Sequence, residues 1–274
     1  MARQIVVSGG AGFWCGDDGV ALDRFALSLT GKHRPKVCYL TTAAGDSSDF
    51  IEGFHANIGP LAEVTHLPLF LPPFRDPAET LLAQDLIYVS GGSTSNMLAV
   101  WRLHGIDALL ERALDSGTVL YGSSAGGICW YEGGITDSLT FDGALRPLMN
   151  GLGFLRGSHS PHFDNEQRRA EYEAMVGAGE LSDGVGVDEF AAVHYVDNEL
   201  HDVVSSRTSD TVNVVRRAPE GSDTKSLPAR LLSWPDEQPS PTPTSAPSSS
   251  EMASLLARLT LDADDLINEQ REPF

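Results

Sequence analysis

Val119-Leu120-Tyr121-Gly122-Ser123-Ser124-Ala125-Gly126 is a run of three large β-favouring side chains that ends abruptly in five small residues. It predicts a strand entering a sharp turn, with Gly127-Ile128-Cys129-Trp130 as the start of a helix. Small neighbours let the chain reverse without side-chain collision and hold the central hydroxyl above the end of the strand. The G-x-S-x-G spacing makes Ser124 the candidate nucleophile. The plain alternative is a tight strand–helix turn with an ordinary capping serine. Ser123 lies one residue early for this geometry and reads as support for the turn. Cys129, expected inside the helix, is a weaker nucleophile candidate.

The same alternation extends to both sides of this turn. Residues 5–8, 36–41, 63–67 and 86–90 read as strands, and three of these runs end in small residues. Helical periodicity covers residues 18–29, 50–58 and 96–114. This order predicts an α/β fold, a mostly parallel sheet flanked by helices, with functional sites at the carboxyl ends of the strands. Residues 134–155 hold many glycines and few clear periods. Residues 193–196, 201–205 and 211–215 predict an antiparallel edge or hairpins.

Composition divides the 274-residue chain into a main domain at 1–230, a Pro/Ser/Thr-rich linker at 231–250 and an acidic tail at 251–274. In the tail, Ser248 and Glu251 form a capping pattern, and Met252, Leu255, Leu256 and Leu259 fall on one helical face. Such a helix is suited to docking on the body or on a partner subunit, which makes a homodimer one expected assembly. The net charge is −19, from 19 basic and 38 acidic residues. So acidic a surface repels phosphate backbones and anionic lipid, which argues against nucleic-acid and membrane partners. No window approaches 18 continuous apolar residues, and the N-terminus runs into a strand without a signal-like apolar region. Three widely spaced cysteines, Cys15, Cys38 and Cys129, argue against a disulfide scaffold and a zinc knuckle. A cytoplasmic setting is expected.

A serine nucleophile needs a general base. Ser158-His159-Ser160-Pro161-His162-Phe163-Asp164 offers two, His159 and His162, in a stretch of loop character. The same His-x-x-His-x-Asp spacing admits a metal reading, but no second ligand cluster completes it, and no metal is expected. The acid that would orient the base has two credible places, the pair Asp188-Glu189 and Asp137, thirteen residues after Ser124. Gly9-Gly10-Ala11-Gly12 lacks the full dinucleotide-loop spacing, and no phosphate-loop motif occurs, so no cofactor is expected. Gly91-Gly92-Ser93-Thr94-Ser95-Asn96 ends one strand and opens a helix. It suits either a second oxyanion donor or a plain helix cap.

In combination these segments resemble serine peptidase family S51, the peptidase E or aspartyl dipeptidase family, and more distantly the cyanophycinases. The resemblance rests on Ile5–Gly10, Pro35–Thr42, Ile87–Asn96, Gly122–Gly127 and Ser160–Asp164, taken in order, and spans residues 3–217. It implies a glutamine-amidotransferase-like three-layer sandwich with serine as the nucleophile. By position it implies Ser124 as nucleophile, His162 as general base, and Gly92 and Ala125 as oxyanion donors. It favours Glu189 over Asp188 as the acid, with Asp137 resembling an alternative. Ser93 departs from the glycine or asparagine common at that place. The implied substrate is a short peptide cleaved after an N-terminal aspartyl residue, with Arg168, Arg169 and Arg207 as candidate partners for its acidic group. The same Ser–His pair would also serve an acyltransferase or amidase, and a catalytically silent interaction domain is the alternative of another class.

Overall fold

The computed structural model describes residues 2–71 and 75–232, all within one compact unit, Met1–Asp236. Nearly all of the expected linker and the whole of the expected helical tail lie outside the described residues. The first half of the chain runs β1 (Gln4–Ser8), α1 (Gly16–Ser28), β2 (Lys36–Leu40), α2 (Ser48–Ile58), β3 (Glu63–His66), α3 (Pro77–Leu82), β4 (Leu86–Val89), α4 (Thr94–His104), α5 (Ile106–Asp115) and β5 (Val119–Ser123). A four-residue helix, α6 (Ala125–Ile128), follows at once, then β6 (Tyr131–Thr136), β7 (Arg146–Leu148), β8 (Leu155–Ser160), α7 (Glu166–Ala178) and β9 (Gly184–Val187). The described chain closes with β10 (Ala191–Val196), β11 (Glu199–Ser205), β12 (Val212–Ala218), β13 (Gly221–Leu227) and β14 (Arg230–Leu231).

These strands form two mixed sheets flanked by helices. The larger has the order β14-β11-β10-β1-β5-β4-β2-β3. Its five-strand part from β1 to β3 is parallel, and β10 joins β1 antiparallel. Successive residues of β1, β2, β4 and β5 bury on opposite faces, which is why these strands read as apolar runs, while β3 lies half exposed at the sheet edge. Val6, Val37, Tyr39, Tyr88 and Tyr121 pack with Leu22 and Phe25 of α1 and Phe54 of α2. Ile5, Val7, Cys38, Leu40 and Val89 pack with Met97 and Trp101 of α4, Leu110 of α5 and Trp130. Among the described residues no helix is long and apolar enough to cross a membrane.

The helix expected over 96–114 is two helices. Gly105 interrupts it at φ +68°, ending α4 with a left-handed cap and starting α5. The glycine-rich stretch after residue 130 is ordered as β6 and β7, which belong to a second sheet, β13-β12-β9-β8-β6-β7. Its strands alternate weakly because glycines lie where backbones crowd: a methyl group on Gly133 or Gly134 would fall within 3.0 Å of a neighbouring strand's carbonyl. The expected antiparallel edge is divided. β10 and β11 extend the large sheet, whereas β12 and β13 extend the small one, over which α7 packs Tyr172 and Val176.

Candidate active site

Ser124 sits between β5 and α6 at φ +52°, ψ −113°, a backbone conformation that non-glycine residues rarely hold. Gly122 and Gly126 make the turn possible. A methyl group on Gly122 would meet the Gly126 carbonyl, and one on Gly126 would meet the Val89 carbonyl of β4, both within 3.0 Å. The turn is pinned from three sides. The Ser124 N–H donates to the Ser8 carbonyl at 3.3 Å, and the Ser124 carbonyl accepts from Gly127 at 2.8 Å and Ile128 at 2.9 Å. Strain of this kind costs about 1–3 kcal/mol and persists only where the surroundings over-determine it.

The side chain of Ser124 points to His162: Oγ lies 2.9 Å from Nε2. His162 follows β8 at φ +50°, and its N–H donates to the Gly9 carbonyl at 3.0 Å. On the other side of the ring, Nδ1 is hydrogen-bonded to a carboxylate oxygen of Glu189. An ionised carboxylate can only accept, so Nδ1 carries the proton. Nε2 of the neutral ring is then the acceptor for the Ser124 hydroxyl. The His162 and Glu189 side chains keep 33% and 26% of their exposure, open to a substrate but sheltered from bulk water. Glu189 is itself held, its N–H donating to Asp164 Oδ1 at 2.9 Å and its carbonyl accepting from Ala11 at 2.9 Å.

The other candidates lie elsewhere. Asp188 accepts from the Thr211 N–H at 2.9 Å and braces a turn, and burial raises its pKa. Asp137 pairs with Arg168 at 3.1 Å and does not meet His162. His159 is buried, stacks on Tyr131 with ring centroids 5.2 Å apart, and donates from Nδ1 to the Val185 carbonyl at 3.2 Å. Burial pushes its pKa down to about 3. His159, His162 and Asp164 thus face different partners and do not converge on one point. Ser123 is buried and donates to the Gly10 carbonyl at 2.8 Å. Cys129 is buried with its thiol 3.1 Å from the Gly126 carbonyl, and burial raises its pKa well above the ordinary thiol value.

The Gly91-Gly92 loop closes over the serine. A methyl group on Gly91 would lie 3.3 Å from Ser124 Cβ, and Gly92 holds φ +131° against the Ala43 carbonyl. Ala125 directly follows the nucleophile candidate as the first residue of α6. Ser93 caps α4 by accepting from Asn96. The tip between β6 and β7 reaches the same rim, where Ser138 Oγ accepts from the Ser95 N–H at 3.1 Å. That Ser95–Ser138 contact was not anticipated, since neither residue carries a pattern of its own. The three candidate arginines are all engaged. Arg168 holds Asp137, Arg169 lies over the Phe163 ring, and Arg207 pairs with Asp18 at 2.7 Å while covering Phe190.

The model of peptidase family S51 matches residues 5–203. A curated relative, the uncharacterized peptidase YgaJ of Bacillus subtilis (strain 168), is 40% identical over 208 residues, covering 75% of this chain and 89% of that protein. Two solved structures share the fold. A peptidase from an acI-B1 Actinobacterium aligns with a TM-score of 0.60 at 21% identity, covering 83% of this chain and 98% of its own. A putative peptidase E protein from Listeria monocytogenes EGD-e aligns with a TM-score of 0.56 at 16% identity, covering 75% and 99%.

Proposed function

The chain belongs to peptidase family S51, and from that premise we propose that it is a serine peptidase which cleaves a short peptide after an N-terminal aspartyl residue through an acyl-enzyme on Ser124. The observation that carries the reading is the 2.9 Å contact between Ser124 Oγ and His162 Nε2, with Glu189 on the far side of the ring.

In this mechanism His162 removes the Ser124 proton as Oγ attacks the amide carbonyl. Glu189 keeps the proton on Nδ1 and stabilises the imidazolium that forms. The N–H groups of Ala125 and Gly92 receive the developing oxyanion. Protonated His162 then gives its proton to the leaving amine, and water repeats the attack on the acyl-enzyme. The aspartyl preference comes from the family resemblance. Of the three arginines, Arg168 suits that role, because its charge interacts with that of Glu189 beside the candidate base and its partner Asp137 is half exposed and replaceable by a substrate carboxylate. The proposed setting is the cytoplasm, consistent with three free cysteines.

A labelled fluorophosphonate tests the nucleophile: it should modify Ser124 and leave Ser124→Ala untouched. Labelling at another residue would sink the assignment. A dipeptide library scored for product release tests specificity, and indifference to the first residue would reject the aspartyl reading.

A further inference from the structure

We infer that the turn after β1, residues 8–11, is the frame that sets Ser124, His162 and Glu189 against one another, with Gly10 and Ser123 as its positioning residues. The inference rests on the reading of Ser124 as the nucleophile.

Ser124, His162 and Glu189 come from three separate places, after β5, after β8 and after β9. Each is tied through its backbone to the same short turn. Ser8 accepts from the Ser124 N–H at 3.3 Å, Gly9 accepts from the His162 N–H at 3.0 Å, and Ala11 donates to the Glu189 carbonyl at 2.9 Å. Movement of this turn therefore shifts all three residues together or splits them apart. At its centre, Gly10 lies flat against the His162–Glu189 hydrogen bond. A methyl group on Gly10 would fall within 3.0 Å of His162 Cε1, His162 Nδ1 and Glu189 Oε2. Gly10 does not sit at positive φ, so an alanine there brings no backbone strain of its own. The glycine is needed for close approach. The Gly10 carbonyl in turn receives the buried Ser123 hydroxyl at 2.8 Å. Ser123 thus links the nucleophile's own strand to the surface on which the base and acid rest. A buried carbonyl that loses such a donor has no water to replace it, so its turn relaxes toward another partner.

The test uses the full-length chain and the rate at which a fluorophosphonate labels Ser124, measured across pH, beside the thermal unfolding midpoint. Misplacement of reacting groups by about 1 Å costs on the order of 100-fold in rate. Gly10→Ala should slow labelling by about that factor. Ser123→Ala should slow it by about 10-fold, and Ser123→Thr, which keeps the hydroxyl, should recover most of the loss. Both slow variants should show an altered pH–rate profile while remaining folded, which a merely structural role would not produce. Gly10→Ala and Ser123→Ala that label Ser124 within about twofold of the parent, with unchanged pH profiles, would overturn the inference and leave the nucleophile intact. A parent chain that does not label at Ser124 would overturn both.

Discussion

The Glu189 carboxylate accepts a hydrogen bond from the Nδ1–H of His162, while Asp188, one residue earlier, turns its carboxylate to the Thr211 N–H. Neighbouring residues in this extended turn point to opposite sides, so only one of the pair can serve the imidazole. Glu189→Gln should therefore lower kcat/KM by about 10²- to 10⁴-fold, because a neutral amide neither fixes the same tautomer nor stabilises the cation. Asp137→Asn should cost far less through this route, since Asp137 faces Arg168. Kinetics of both variants against one substrate check the assignment. Equal activity of Glu189→Gln and the parent, with loss in Asp137→Asn, would reverse it.

The parallel half of the fold was legible because β1, β2, β4 and β5 are largely buried and run into small residues, whereas the edge strand β3 is half exposed and does not. The second sheet was not, because Gly133 and Gly134 carry no side chain to alternate, and their reason for being glycine is a neighbouring backbone. The split between α4 and α5 had a signal that the single-helix expectation missed: the buried face swings by about half a turn at Gly105, from Met97, Leu98 and Trp101 to Ile106, Leu110 and Leu114. At the site, Ser124 and the two histidines were visible as residue types. Choosing His162 over His159 by residues alone was out of reach, since both lie at the end of β8 and only the fold buries one against Val185. The turn at Gly9-Gly10 was legible only as a dinucleotide loop set aside for its spacing, without its contacts being visible. Its contacts reach residues more than a hundred positions away, which no local pattern encodes.

Ser124 holds an unfavourable backbone conformation, and that strain is removable. Ser124→Gly should raise the unfolding free energy by about 1 kcal/mol, because glycine occupies φ +52° without a Cβ clash. Ser124→Ala should show no comparable gain, and both variants should be inactive. Urea titrations of the parent and the two variants measure the difference. A Ser124→Ala that gains as much as Ser124→Gly would show that relief of backbone strain is not the cause.

Asp23 of α1 is buried, with the Tyr88 and Tyr121 hydroxyls and the Phe13 N–H beside its carboxylate but outside good hydrogen-bond geometry. Burial raises its pKa from 3.8 to about 7, while the nearby Tyr88 and Tyr121 hydroxyls partly oppose the rise. With the folded-state pKa above the unfolded one, the folded protein holds the proton more tightly, so this group's contribution falls as pH rises from about 4 to about 7. Asp23→Asn removes that penalty. Relative to the parent, it should gain at about pH 8 over about pH 4, by a few kcal/mol at most. Chemical denaturation at the two pH values reads the effect, and a variant whose advantage is the same at both would contradict it.

His159 works in the opposite direction. Burial lowers its pKa from 6.5 to about 3, so between those values the unfolded chain binds a proton that the folded chain refuses. Its contribution is complete above about pH 6.5 and is lost as pH falls toward 3. His194, lowered to about 4 mainly by burial, acts on the same side. From about pH 4 to 6.5 these histidines and Asp23 therefore oppose each other. Asp23 lies among the side chains between the large sheet and α1, whereas His159 stacks on Tyr131 of the second sheet, so their effects should add. His159→Phe keeps a stacking ring and removes the titration, at the cost of the bond to Val185. Relative to the parent, His159→Phe should lose stability as pH rises through this window, because the parent alone keeps the gain from a histidine that refuses its proton, while Asp23→Asn should gain. Parallel denaturation curves for all three proteins across the window would show that neither group is linked to folding as its burial requires.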